Sequence, residues 1–581
     1  MRYLVLPVWS RSALLLFGVF GAALLGASSC GDDGSSSGAG ASSAGGSGSG
    51  GEGGELVLPD PLGPIAPVSP TSTDRFETSR ACNQCHYAGS SSAMKDPVSG
   101  EDLSPGYQWQ SSMMAFAARD PYYLAVVSEE LALAGDARAE VEAMCIRCHA
   151  PAGSEEARAR GEHLSLDELL SGSSDAANLG RDGVACALCH QIEDEALGTA
   201  ASFSGGFSVG YDRRVYGPHT GPNTQPMEFF LDYTPAYSAH IVESSLCATC
   251  HTVVTPITGA DGSKLGDFVE QAPFLEWENS SHVGSKPCST CHLPSTDSAG
   301  DSISTPIATY PADLAPRNRY GVHSFVGANA YMLSILGDNL AWTGSEIPEE
   351  ELYAASERSK AHLATAARLE IAAPTVQGGE LVVPITVYNQ TGHKLPTGYP
   401  GRRLWIHLRA LGAGDAVVYE SGRWSTDGRI LGGDGESIDG VGTLLPHLDE
   451  VAPGEVQVWE SVPGDLAGKP THRPLAAASY LKDDRILPSG WSEGGPWASW
   501  TKPRGTSGDA SFVAGSDRVS YRVPNAAQVQ RVEARLVYQT LPPAAFDHLA
   551  RVPTPAAVRF SQMVKARPSE VYVVATAERG L

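Results

Sequence analysis

Cys82-Asn83-Gln84-Cys85-His86 is the first of five pentapeptides of one form. The others are Cys145-Ile146-Arg147-Cys148-His149, Cys186-Ala187-Leu188-Cys189-His190, Cys247-Ala248-Thr249-Cys250-His251 and Cys288-Ser289-Thr290-Cys291-His292. Of eleven cysteines, ten form these pairs at i and i+3, each followed at once by His, and the eleventh is Cys30. Disulfide pairing would suit an exported protein but gives no reason for the five histidines. Zinc ribbons also use Cys-x-x-Cys, yet four-ligand sites need the motifs in twos, and five is odd. A thioredoxin-like redox motif occurs once per domain.

Two thiols three residues apart can add to the two vinyl groups of one haem, and the following His then lies under the iron. The pattern predicts five covalently bound haem c groups. They attach through Cys82 and Cys85, Cys145 and Cys148, Cys186 and Cys189, Cys247 and Cys250, and Cys288 and Cys291. His86, His149, His190, His251 and His292 are the expected proximal iron ligands. The motifs begin at 82, 145, 186, 247 and 288, so their intervals alternate as 63, 41, 61 and 41. A repeated two-haem unit would give such an alternation.

Working outward, the first 29 residues read as a lipoprotein-type signal peptide: Arg2 and Arg11 supply positive charge, and Ala13 to Ser29 is apolar or small. Small residues run into Cys30, the expected lipidated N-terminus, although Ala27 stands where such motifs usually carry Leu. An ordinary cleaved signal with an incidental Cys is the alternative. Residues 30–56 are then a Gly/Ser-rich tether, with too little apolar surface to fold. The expected location is outside the cytoplasm, as an outer-membrane lipoprotein facing periplasm or cell surface, with the lipid bilayer as one partner.

The chain has 581 residues and a net charge of −25. Clustered Lys and Arg are what phosphate binding needs, so this balance excludes a nucleic-acid partner. Residues 57–367 form the expected five-haem domain, of helix and loop, with helices over Pro121–Cys145 and Glu155–Leu170. From 368 to 581 cysteine disappears and β-type runs take over: Leu381–Tyr388, Leu404–Ala410, Val456–Val462, Val519–Val523, Val532–Leu541 and Val571–Ala575. The expected fold class is α+β, a helical multihaem domain followed by an antiparallel β-sandwich.

Each iron needs a sixth ligand or an open site. The candidate distal ligands are His219, His240, His282, His323, His393 and Met114; His163 and His362 also lie near. His240 and His282 stand shortly before attachment motifs. Trp277-Glu278-Asn279-Ser280-Ser281-His282 parallels Trp109-Gln110-Ser111-Ser112-Met113-Met114, which places Met114 where His282 stands. The segment Asn389 to Arg403 could bring His393 onto a haem, with Arg402 and Arg403 on propionates. A hairpin loop with solvent-facing charge is the alternative.

Four stretches narrow the comparison: WQSSMMAFAARDP (109–121), GVACALCH (183–190), CATCHTVVT (247–255) and TGHKLPTGYPGRR (391–403). Over most of residues 75–580 the sequence resembles bacterial multihaem c-type cytochromes with a C-terminal β domain. That resemblance implies haem c and redox function, without a substrate. It departs from pentahaem nitrite reductases, whose active-site motif usually has Lys in place of His. Three functions follow as expectations. The first is electron transfer between redox partner proteins. The second is reduction or oxidation of a small nitrogen or sulfur compound at one five-coordinate haem. The third makes the β domain a docking module.

Overall fold

Glu380–Asn389 (ELVVPITVYN) buries every second side chain, the signature of a strand with one face on a core. In the computed structural model, which describes residues 58–259 and 261–581, this strand anchors a five-stranded sheet with Ala367–Ile371, Thr375–Gln377, Glu450–Val451 and Ser516–Val523. The expected signal peptide, Cys30 and the tether lie outside the described residues. A six-stranded sheet is built on Arg403–Leu411 and includes Val417–Ser421, Val458–Gly464, Ser479–Asp483, Arg531–Gln539 and Val571–Gly580. Pairing is antiparallel except between Glu450–Val451 and Ser516–Val523, which run parallel. Both sheets feed one core, where Val383, Ile385 and Val387 meet Leu404, Ile406, Leu408 and Leu536, all fully buried.

Two helices in this region were not expected: Pro543–Leu549 and Pro555–Ala566. Pro opens both, where its missing N–H costs nothing, and the Thr554 hydroxyl caps the second by accepting from Ala557 N. Pro555–Ala566 packs against the helix Pro121–Leu133, joining the C-terminus to the Cys/His-rich region through Phe560, Met563, Leu124 and Val127.

Both long helices expected in the Cys/His-rich region are divided. Pro121–Leu133 is separated from Arg138–His149 by a 3-10 turn at Gly135–Ala137, with Gly135 at φ 54°. Pro151–Ala159 stops before Gly161 (φ 70°), and Ser165 starts Leu166–Ser171 by accepting from Glu168 N. The region is also less purely helical than expected, because it holds three two-stranded sheets. The largest pairs Val253–Thr258 with Lys264–Gln271, and β-branched residues after the fourth motif favour it. The fold is mixed α+β, and Leu58–Leu581 pack as one unit. Among the described residues, no helix is long and apolar enough to cross a membrane.

Candidate functional site

Every attachment motif sits on or against a helical turn: Ser79–Asn83, Arg138–His149, Cys186–Cys189, Ser244–His251 and Cys288–His292. Three residues are nearly one turn, so both thiols of a pair share a face. The turn closes on the His itself: His86 N donates to Cys82 O (3.0 Å) and His190 N to Cys186 O (3.1 Å).

The five motifs are neighbours in space. The Cys82 thiol, ahead of burial, pushes the Cys186 thiol up; Cys250 does the same to Cys148, and Cys288 to Cys247. Burial and then Cys250 raise Cys189 to about 12. The first motif therefore adjoins the third, the third adjoins the fourth, and the fourth also adjoins the second and the fifth. The array branches at Cys247–His251.

Four of the five motif imidazoles are held in one way. Nδ1 faces a backbone carbonyl: His86 to Ile307 O (2.8 Å), His149 to Ala117 O (2.9 Å), His190 to Tyr216 O (2.6 Å) and His292 to Val326 O (2.6 Å). A carbonyl accepts a hydrogen bond from Nδ1–H, which fixes the tautomer and leaves Nε2 as the lone-pair donor a metal requires. Burial lowers the His86, His149 and His190 rings, His149 to about 4.

Two candidate distal histidines face two of these rings. His323 lies opposite His190 with ring centres 6.3 Å apart and planes 22° apart. His393 lies opposite His292 at 6.4 Å and 23°. Each also presents Nδ1 to a carbonyl, of Gly321 (2.9 Å) and Lys394 (2.9 Å). A metal–imidazole bond of about 2 Å on each side, plus roughly 1.1 Å from nitrogen to ring centre, puts two opposed rings about 6.2 Å apart. The residues present fit an iron with imidazole on both faces at these two positions.

The other candidates are placed differently. His240 is buried with both nitrogens hydrogen-bonded, Nδ1 with the Ser238 hydroxyl (2.6 Å) and Nε2 with Ile192 O (2.8 Å). It packs edge-on against Tyr216, whose carbonyl holds His190, and so stands behind the His190 ring. His282 lies against Gly392, next to His393, with Nδ1 buried and without a partner. His219 is half-buried beside Arg317, and burial with that guanidinium lowers its pKa. Met114 packs between the apolar clusters around Leu188 and Phe116, and its carbonyl accepts from Val184 N (3.0 Å). His163 pairs with Glu142 (3.0 Å). His362 is 5.4 Å from His292 and tilted by 56°.

The Trp–Met and Trp–His stretches share a local design. Helices Pro105–Gln110 and Pro273–Glu278 each open on Pro, and the turn after each closes with a Ser hydroxyl on the Trp carbonyl: Ser112 on Trp109 (2.7 Å) and Ser280 on Trp277 (2.7 Å). The Trp109 ring then donates to Val184 O (2.9 Å), tying this stretch to the third motif. Gly183 is needed at that join, since its φ is 74° and a Cβ would stand 2.6 Å from Met114 O.

His393 is positioned by a charge network that the sequence did not announce. Glu276 accepts from Lys394 N (3.0 Å) and the Thr397 hydroxyl (2.5 Å), and pairs with Arg485 (3.2 Å). Lys394 Nζ and Arg485 meet on Asp483, at 2.6 and 2.7 Å. All four charged side chains are buried. Asn389 fastens the start of the loop by donating to His393 O (2.7 Å) and Ile486 O (2.9 Å). Arg402 and Arg403 are committed elsewhere, and neither faces solvent freely. Arg402 donates to Thr397 O (2.7 Å) and Asn329 (3.0 Å), while buried Arg403 holds Gln539 (2.8 Å) and Asp439 (2.5 Å).

No family model matches the chain, and no curated protein does. Among solved structures it is similar to a penta-heme cytochrome c552 from Thermochromatium tepidum, with 16% identity and a TM-score of 0.48, over 87% of this chain and 99% of that one.

Proposed function

We propose that this chain is an exported, lipid-anchored pentahaem c-type cytochrome that transfers electrons between redox partner proteins. The observation that carries the reading is the pair of opposed imidazoles, His190 with His323 and His292 with His393, each ring held by its Nδ1. Haem held there would supply one-electron redox chemistry. The ten motif cysteines would hold five such groups covalently, and the adjacency of the motifs favours transfer between them. Anchoring rests on Cys30 alone, and its test is fatty-acid labelling that Cys30→Ala abolishes.

The spectrum of the oxidised protein tests the central claim. Electron paramagnetic resonance of the wild type should show low-spin ferric haem, and His393→Ala should convert one of those signals to high spin. A spectrum unmoved by His393→Ala and by His323→Ala would remove both pairs and the reading with them.

A second reading, an oxidoreductase with one open haem, is favoured at the second motif. The ring packed on His149 is Tyr123, at 3.6 Å and 3°, and the buried Tyr123 hydroxyl has no partner. Cyanide or nitrite perturbing a high-spin wild-type signal, with the effect altered in Tyr123→Phe, would favour this reading over the first.

A further inference from the structure

A second cluster of ligating side chains lies in the β region and takes no part in the array above. His447, Asp509 and Asp517 each bring a ligand atom within 4.8 Å of the other two. They come from three separate pieces of chain: the segment before Glu450–Val451, the loop before Ser516–Val523, and that strand itself. His447 Nε2 stands 3.0 Å from Asp509 Oδ2, and His447 Nδ1 stands 3.0 Å from Asp484 Oδ2. The His447, Asp484 and Asp509 side chains are 3%, 0% and 5% exposed.

Asp517 supplies the deciding observation. It is fully buried, one oxygen accepts from Trp459 Nε1 (2.7 Å), and the other, Oδ1, has no partner. A buried carboxylate oxygen without a donor costs free energy, and its neighbours Asp484 and Asp509 are acidic too. The ammonium within reach is Lys482, 3.3 Å from Asp484 and shared with Glu460 at 3.4 Å. The proton that His447 Nε2 shares with Asp509 is the one a divalent cation would replace, with the unpartnered Asp517 Oδ1 as a further donor.

We propose that His447 Nε2, Asp509 and Asp517 bind a divalent first-row transition-metal ion of the Zn2+ type, with Asp484 as the positioning residue for the imidazole. One nitrogen and two carboxylate donors suit zinc and its neighbours, whereas calcium and magnesium take oxygen alone. Two ligands about 2 Å from one ion at a tetrahedral angle lie roughly 3.3 Å apart, close to the separation of His447 Nε2 and Asp509. Asp484 on Nδ1 completes the carboxylate–histidine–metal arrangement that fixes ring and tautomer. Gln457 supports Asp484 from behind, donating to it at 2.8 Å. The ion would tie two loops to the strand and close the rim of the β core.

The test uses the full haem-loaded protein. After exposure to zinc and gel filtration, plasma mass spectrometry should find about one zinc per chain in the wild type and under about a tenth of that in Asp517→Asn and His447→Gln. Asp484→Asn should keep the site but weaken zinc about 10–100-fold. Crystals of the wild type, measured on both sides of the zinc absorption edge, should show an anomalous peak between His447 and the Asp509 and Asp517 carboxylates, separate from iron. Wild-type protein that retains no zinc, retention unchanged in Asp517→Asn, or a zinc peak only elsewhere would each overturn the proposal.

Discussion

The Cys/His-rich region and the β region solve burial in different ways. In the β region, alternating strands supply a continuous apolar core, with Ile385, Ile406 and Leu536 packed from two sheets. Around the first, third, fourth and fifth motifs the apolar residues fall into small separate groups, such as Phe203 with Leu275 and Met94 with Tyr320. Imidazoles and thiols lie between those groups, most of them buried or half-buried. A core in pieces, separated by ligating side chains, is what a region looks like when its largest apolar component is not amino acid. On the proposed reading that component is haem, and the two regions should differ sharply in their dependence on it.

The largest expected effect breaks that comparison directly. On the proposed reading, replacing Cys247 and Cys250 with Ala removes a haem attachment at the branch of the array. Limited proteolysis followed by mass spectrometry should then find cleavage concentrated between about residues 200 and 300, while Glu380–Asn389 and Ser516–Val523 stay protected, as locally unequal stability allows. Equal protection of both regions would mean that the Cys/His-rich half supports itself.

The joint between the regions gives the next effect. Lys394→Met leaves Glu276, Asp483 and Arg485 buried with their balance of charge altered. Breaking a buried pair costs about 3–5 kcal/mol, with the low end expected here because Asp483 keeps Arg485. Ile385→Ala, deep in the β core, should cost about 2–5 kcal/mol by opening a cavity. Thermal unfolding measures both, and the spectrum separates them. Lys394→Met should disturb the haem signal that depends on His393, whereas Ile385→Ala should leave every haem signal in place. Identical spectra for the two variants would detach His393 from the array.

The same contrast explains what could be read from sequence. Strand Glu380–Asn389 was legible because period-two burial is written locally in residue type, and Arg403–Leu411, buried along nearly its whole length, because of its apolar run. The five motifs were legible because their chemistry is contained in five consecutive residues. Candidate distal partners were harder to rank: His323, His393 and His240 were all candidates, and only the hydrogen bonds of His240 give it a different setting. Nothing local marks that difference, since Ile192 O belongs to a distant segment. The carbonyls of Ile307, Ala117, Tyr216 and Val326 were invisible for the same reason, as every residue has one. Glu276 had a faint signal, a carboxylate inside the apolar run Phe274-Leu275-Glu276-Trp277, which burial makes costly unless it is paired. The helices at the C-terminus were missed although Pro and Thr marked their starts, because strand-forming runs on either side dominated the reading.

The smallest expected effect tests whether burial strain concentrates where the regions meet. Glu270, on the strand Lys264–Gln271, is buried, and burial pushes its carboxyl up to about 7, against a usual value near 4.5; the Gln271 amide offsets part of this, and the nearby Glu130 charge adds to it. The folded state therefore holds a proton that the unfolded state has released between roughly pH 4.5 and 7, so stability falls as pH rises through that window and the whole penalty is present above it. Glu270→Gln removes the charge while keeping a polar amide of similar shape. It should raise stability by about 1–3 kcal/mol at pH 8 and change little at pH 4.5, measured by denaturant unfolding at the two values. A gain equal at both pH values would place its origin in packing. A loss at pH 8 would mean that the ionised carboxylate has a partner in the folded protein, and the strain assigned to this joint would have to be sought elsewhere.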